Sequence, residues 1–210
     1  MRFQVLANGE PRPVELVFGS EKDLALVNRW RIPAAAETRP GVRDTVEFAH
    51  LATKRWRYYR RSIATATSLE NFQSIITREP QAEVSLLLLV RADWFKRSRI
   101  LGLAQCRRTY CHHLVVEFLS VHPAIVGGVA PLVRGVGAGI LYSLGAMAGE
   151  LKMPLVWGEA TSFSAPFYAR NLGLDTVSDH FFIQGETLQR CGHLFREKAH
   201  GSLDAPDNPE

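Results

Sequence analysis

One stretch, Leu114 to Leu174, constrains this chain more than any other. It runs LVVEFLSVHP, then an apolar glycine-rich connection, then RGVGAGILYSLGAMAGEL, PLVWGEAT and SAPFYARNLGL. Val115, Val116, Phe118 and Val121 make a β-branched and aromatic run that Pro123 ends, so a strand is predicted there. Ile140, Leu141, Leu144, Ala148 and Leu151 recur at helical spacing behind Arg134-Gly135-Val136-Gly137-Ala138-Gly139, with Lys152 in the last turn and Pro154 stopping the helix. Leu155, Val156 and Trp157 form a short buried strand. A strand, a helix and a second strand in this order imply a right-handed crossover with the two strands parallel in one sheet.

The glycine run has a chemical reading. Glycines let successive N–H groups point into one concavity, and the helix behind them adds the positive end of its dipole. Without a Cβ, a phosphate can approach the main chain closely, and Arg134 can pair with it at the mouth. The unit is therefore expected to bind an anion, a diphosphate above all. The glycines do not match the G-x-G-x-x-G dinucleotide fingerprint, and no Gly-Lys-Ser/Thr marks a P-loop.

Arg134-x-x-Gly137-x-Gly139, following a strand that ends Leu119-Ser120-Val121-His122-Pro123, resembles the acetyl-CoA loop of the GNAT N-acetyltransferase superfamily. Trp157-Gly158-Glu159-Ala160 and Phe167-Tyr168-Ala169-Arg170-Asn171-Leu172-Gly173-Leu174 resemble that family's last core strand and its tyrosine-bearing helix. The resemblance implies an α/β (α+β) fold with a mixed, mostly antiparallel central sheet flanked by helices and splayed at the acetyl-CoA site. It implies acetyl-CoA as co-substrate, held by Leu119, Ser120, Val121, Arg134, Gly135, Val136, Gly137, Ala138 and Gly139. It also implies direct transfer of the acetyl group to a primary amine in a ternary complex, with no metal. This sequence departs from the family in its long connection, Ala124 to Val133, and in a Tyr168 one residue further from Gly173 than is usual.

With 210 residues and 46% hydrophobic content, the chain is expected to form one domain around one core, with residues 1–13 a loose arm and 198–210 a disordered tail. The net charge of +4 suits a polyanionic cofactor and is too small to imply nucleic-acid binding. An odd count of three cysteines and an N-terminus without an apolar h-region point to a reducing, cytoplasmic setting. Ala124 to Ala148 is long enough to span a bilayer, but Arg134, Pro131 and the glycines favour a buried loop and helix.

Ahead of that unit, Val14 to Phe18 reads as a first strand and Ser20 as the cap of a short helix carrying Leu24, Val27 and Trp30. Asp44 with Glu47 is a capping-box-like start. The helix behind it has an apolar and aromatic side, and a face bearing Lys54, Arg55, Arg57, Arg60 and Arg61. That face is read as solvated; the alternative is that it meets phosphates, an acidic acceptor or RNA, with Trp56, Tyr58 and Tyr59 stacking. A helix from Ser68 to Arg78, strands at Glu83–Val90 and Ile100–Cys106, and a closing hairpin about Gly185 complete the expectation.

Acyl transfer needs a carbonyl donor, a base for the amine and an acid for the leaving thiolate. The resemblance offers Tyr168 as the acid and a main-chain N–H near Leu119 or Ser120 as the donor. Glu117 is the leading candidate base, since a carboxylate in an apolar strand has a raised pKa; Glu159, His122 and a water-mediated base are the alternatives. Strand alternation places Glu117 on the face of Leu119 and Val121. Cys106, Cys111, His112, His113, Cys191 and His193 lack the spacing of a zinc knuckle and are read as structural. The other functions left open are acyl-CoA binding without turnover and RNA binding. The residues leave the acceptor (small molecule or protein) and the oligomeric state, a homodimer included, unassigned.

Overall fold

The computed structural model describes residues 1–129 and 131–200. The strands are β1 Arg2–Ala7, β2 Glu10–Phe18, β3 Ala64–Thr65, β4 Val84–Arg91, β5 Ile100–Arg108, β6 Leu114–Val121, β7 Val133–Arg134, β8 Leu155–Glu159 and β9 His180–Gln184. The helices are α1 Glu21–Val27, α2 Val42–Tyr59, α3 Leu69–Arg78, α4 Pro123–Val126, α5 Val136–Glu150, α6 Ala165–Leu172 and α7 Gly185–His200. They build one mixed sheet in the order β7-β1-β2-β4-β5-β6-β8-β9, with β3 beside β4. Every pairing is antiparallel except β3 with β4 and β6 with β8, the second as the crossover unit predicted.

Both faces of the sheet are covered, which is why β4 reads as the unbroken run VSLLLLV. Leu86, Leu88 and Val90 join the core with Phe72 of α3 and the apolar residues of α5, and Leu87 and Leu89 join Trp30 and the α2 residues Ala49, Ala52 and Trp56. No helix among the described residues is long and apolar enough to cross a membrane.

Residues 1–13 are not a loose arm. Arg2–Ala7 and Glu10–Phe18 form a hairpin about Asn8 and Gly9, both at positive φ, with Phe3, Val5 and Ala7 turned into the core. Pro11 and Pro13 fit the ladder because each sits opposite a residue, Leu6 and Gln4, with which it exchanges no ladder bond. Met1 and Leu16 exchange both bonds, so the bonded pairs fall on the alternate positions. The proline nitrogens face an edge that β4 joins only from Glu15 onward.

Gly185 does not turn a hairpin either. With φ 51 it passes β9 directly into α7, whose Leu188, Cys191 and Phe195 follow a helical period and pack on the core. Helix α2 starts at Val42 behind a left-handed Gly41, so Asp44 lies inside its first turn and caps nothing. Ser20 does cap α1: the Asp23 carboxylate accepts from its backbone N–H at 2.8 Å and its hydroxyl at 2.7 Å. Ser68 caps α3, accepting from the Asn71 N–H at 3.0 Å. The predicted tail lies outside the described residues beyond His200; Lys198 and Ala199 belong to α7.

Candidate active site

Strands β6 and β8 are bonded only from Leu114–Val116 to Val156–Gly158. Beyond Val116 they part, and the parting coincides with a bulge. Gln105 pairs Phe118 while Cys106 pairs Val116, so Glu117 is an extra residue in β6. The extra residue inverts the face alternation. Val116 and, beyond the bulge, Leu119 and Val121 all pack on the α5 side, whereas Phe118 packs on the α2 side.

Glu117 therefore does not share the face of Leu119 and Val121, as plain alternation predicts. It turns toward α2, where its Oε1 accepts from the Tyr59 hydroxyl at 2.8 Å and Arg107 Nε at 3.1 Å, and its Oε2 stands 3.6 Å from Arg55. It is an ion-paired carboxylate in a Tyr–Arg cluster. Two more cations of the basic helix face, Arg57 and Arg60, pair with Glu21.

Past the bulge, β6 has one free edge. The His122 N–H donates to Leu101 O on β5, so by the two-residue repeat the N–H groups of Leu119 and Val121 point away from β5, into the split. Val121 is closed off by α2: Thr45 Oγ1 donates to its carbonyl at 2.8 Å and accepts from its N–H at 3.2 Å. No motif flagged buried Thr45 in the sequence. The Leu119 N–H is left facing the gap.

The gap opens into a cavity of about 400 Å³. Leu119 and Val121 form its floor; Gly135, Val136 and Gly137 at the start of α5 form one wall, and Phe167 of α6 stands beside them. The opposite wall is the start of α2, with Gly41, Asp44, Thr45 and Phe48, and Ile125 and Val126 of α4 complete it. Phe163, 59% exposed, lies at the rim over Gly41. Of the nine residues predicted to hold the cofactor, the structure brings five to this cavity: Leu119, Val121, Gly135, Val136 and Gly137.

The other four serve elsewhere. Ser120 is buried on the opposite face of β6, and exposed Arg134 belongs to β7, paired with Leu6 of β1. Ala138 packs on the core, and Gly139 is covered by the Phe3 ring. The glycine run is thus mostly the first turn of α5 rather than a loop. Only Gly135, at φ 90, is left-handed. The N–H groups of Val136, Gly137 and Ala138 have no carbonyl one turn earlier within the helix to accept from them. One cation that sequence reasoning missed stands here. Nζ of Lys198, near the end of α7, lies 3.5 Å from where a Cβ on Gly135 would be. It is half-buried, burial lowers its pKa, and no carboxylate pairs with it among the described residues. Nothing in the local sequence could have shown this, because α7 reaches the loop only through the fold.

Tyr168 does not line the cavity. It is buried in the core, stacked on Phe181 at 3.9 Å between ring centroids, and burial raises its pKa. Glu159 is exposed at the end of β8. His122 is a buried cap: its Nδ1 accepts from the Ala124 N–H at 3.2 Å, and its ring sits edge-on between Trp30 and Phe95. Among the described residues no cluster of three or more His, Cys, Asp or Glu could hold a metal. Cys106 and Cys191 are buried and Cys111 is exposed.

Burial, with Arg97 adding repulsion, lowers the His122 pKa from 6.5 to about 4. The folded state thus refuses a proton that the unfolded chain accepts below pH 6.5. Stability is full above that pH and is expected to fall by about 3 kcal/mol as pH drops from 6.5 to 4. Denaturant titrations across this range should show the slope, and His122→Asn, which keeps an acceptor for the Ala124 N–H, should remove most of it.

No family model matches the chain, and no curated protein matches it. Among solved structures, it is similar to a GNAT-family protein from Desulfovibrio desulfuricans, with a TM-score of 0.47 and 13% identity over 81% of this chain and 98% of that one. It is also similar to yncA of Salmonella typhimurium, solved with acetyl-CoA, with a TM-score of 0.45 and 14% identity over 94% of this chain and 98% of that one. Its match to nourseothricin acetyltransferase has a TM-score of 0.34 and 20% identity over 41% of this chain, and spans about half (48%) of that protein.

Proposed function

We propose that the chain is an acetyl-CoA-dependent N-acetyltransferase acting by direct transfer to a primary amine in a ternary complex. The observation that carries this reading is the cavity that joins the splayed end of β6 to the first turn of α5. An acyl carrier with a diphosphate needs an anion site and an extended slot beside it. The N–H groups at the start of α5, with the Lys198 ammonium beside Gly135, supply the first. The gap between β6 and β8 supplies the second, where the pantetheine arm would run with its thioester carbonyl accepting from the Leu119 N–H. In the reaction the amine nitrogen bonds to the carbonyl carbon, the C–S bond breaks, and one proton passes in net from nitrogen to the thiolate.

Glu117 and Tyr168 are given no part in these steps. One is held in ion pairs and the other is packed in the core. Their placement favours a second reading, an acyl-CoA-binding module without turnover. Free thiol released from acetyl-CoA in the presence of amines separates the two.

Calorimetric titration with acetyl-CoA tests both. The wild type is expected to bind in the micromolar range, and Lys198→Glu to bind about 10- to 100-fold more weakly, since a charge reversal beside a diphosphate replaces attraction by repulsion. Unchanged affinity in Lys198→Glu would remove the diphosphate from this loop. No binding by the wild type would refute both readings.

A further inference from the structure

The wall of the cavity opposite α5 has a chemistry of its own. Among the described residues Asp44 is the only ionisable one lining the cavity, and it has no hydrogen-bond or ion-pair partner there. Around it the surfaces are apolar: Phe48 on the next turn of α2, Phe163 at the rim, Phe167 across the gap, and Ile125 and Val126 from α4. Thr45 already spends its hydroxyl on Val121, and the Thr161 and Ser164 side chains bond to each other at 3.2 Å. A ligand here meets one unpaired negative charge, aromatic rings and few free polar groups.

From this we infer that the acceptor is a small primary monoamine with an apolar, flat body, its ammonium drawn in by Asp44 and its body packed among Phe48, Phe163 and Phe167; the inference rests on the acetyltransferase reading for what becomes of that amine. Taking an ammonium out of water into an apolar cavity is costly unless a counter-charge meets it, and Asp44 supplies one. The same economy excludes other amines. A polyamine would leave its further ammonium groups unpaired. A free amino acid would bring its carboxylate to the Asp44 wall, where among the described residues no Lys or Arg lines the cavity. An amino sugar would set hydroxyl groups against phenylalanine rings. The volume of about 400 Å³ is that of a small-molecule site.

The test is calorimetric titration with 2-phenylethylamine, spermidine and a lysine-containing peptide, alongside the separate acetyl-CoA titration. The wild type is expected to bind 2-phenylethylamine at least about tenfold more tightly than either rival. Asp44→Asn should weaken that binding about 10- to 100-fold, as loss of a charge-assisted contact does. Phe163→Ala, at an exposed rim residue whose loss leaves the core intact, should weaken it about fivefold or more, and keeps the test decisive if Asp44→Asn disturbs α2. Failure of the wild type to bind 2-phenylethylamine, tighter binding of spermidine or peptide, or equal affinity in both variants would overturn the inference. Failure to bind acetyl-CoA while the amine pattern holds would instead overturn the acetyltransferase reading and leave an amine site.

Discussion

Gly139→Ala is expected to destabilise the protein by about 2–3 kcal/mol, even though alanine is the better helix former by roughly 1 kcal/mol. A Cβ at this position would lie 2.1 Å from one carbon of the Phe3 ring and 2.5 Å and 2.7 Å from two others. The ring has little room to retreat: Phe3 is 1% exposed and meets Phe195 of α7 edge-on at 6.5 Å. The natural control is Gly149, on the same helix but exposed, where a Cβ would meet nothing within 4 Å. Gly149→Ala should raise stability by about 0.5–1 kcal/mol. Urea denaturation of the two variants measures both signs. A Gly139→Ala protein as stable as the wild type would mean that β1 does not press on α5 as described.

The second large effect is expected at Arg108, a 2%-exposed guanidinium paired with no carboxylate among the described residues. Its Nη1 and Nη2 donate to the Ala82 and Pro80 carbonyls at 2.5 Å each, and Nη2 lies 2.9 Å from His112 Nδ1. Because a guanidinium only donates, that imidazole nitrogen accepts, and His112 carries its proton on Nε2, which donates to Leu151 O at 3.1 Å. One cation thus ties together the entry to β4, the β5–β6 turn and the end of α5. Arg108→Met should cost about 3 kcal/mol by leaving the two carbonyls and the imidazole unpaired in the interior. Arg108→Lys should recover little, because one ammonium cannot reproduce the planar fork. Both are read from the midpoint of guanidinium chloride unfolding.

Several elements of this protein were legible in its sequence for identifiable reasons. The α5 stripe, the cap at Ser20 and the run of β4 are local patterns, and the parallel pairing of β6 with β8 follows from a strand–helix–strand order. The pairing of β1 with β2 was not legible, because the ladder position that tolerates a proline is set by the pairing partner, not by the proline. Gly139 looked like a phosphate cradle because a glycine required by a ring on another strand has the same letter as one required by a ligand. Of the residues lining the candidate site, the five visible in the sequence are Leu119, Val121 and Gly135 to Gly137. Asp44 and Thr45 of α2, Phe163 at the rim and Lys198 beside Gly135 were not visible, since α2, the Phe163 segment and α7 meet there only through the fold.

Glu117 has a larger consequence than its ion pairs. A β-strand has a reading frame of two, and the frame that buries Val116 would, carried on unbroken, exchange the faces of Leu119 and Ser120 and aim the Leu119 N–H at β5. The inserted residue is a frameshift within the strand. The first half of β6 keeps the phase that its core neighbours demand, and the second half runs in the phase that the cavity demands. On the α5 side, Val116 before the bulge answers to packing alone, while Leu119 and Val121 beyond it also face the cavity, and Phe118 and Ser120 stay packed on the other side, with a single unpaired residue as the junction.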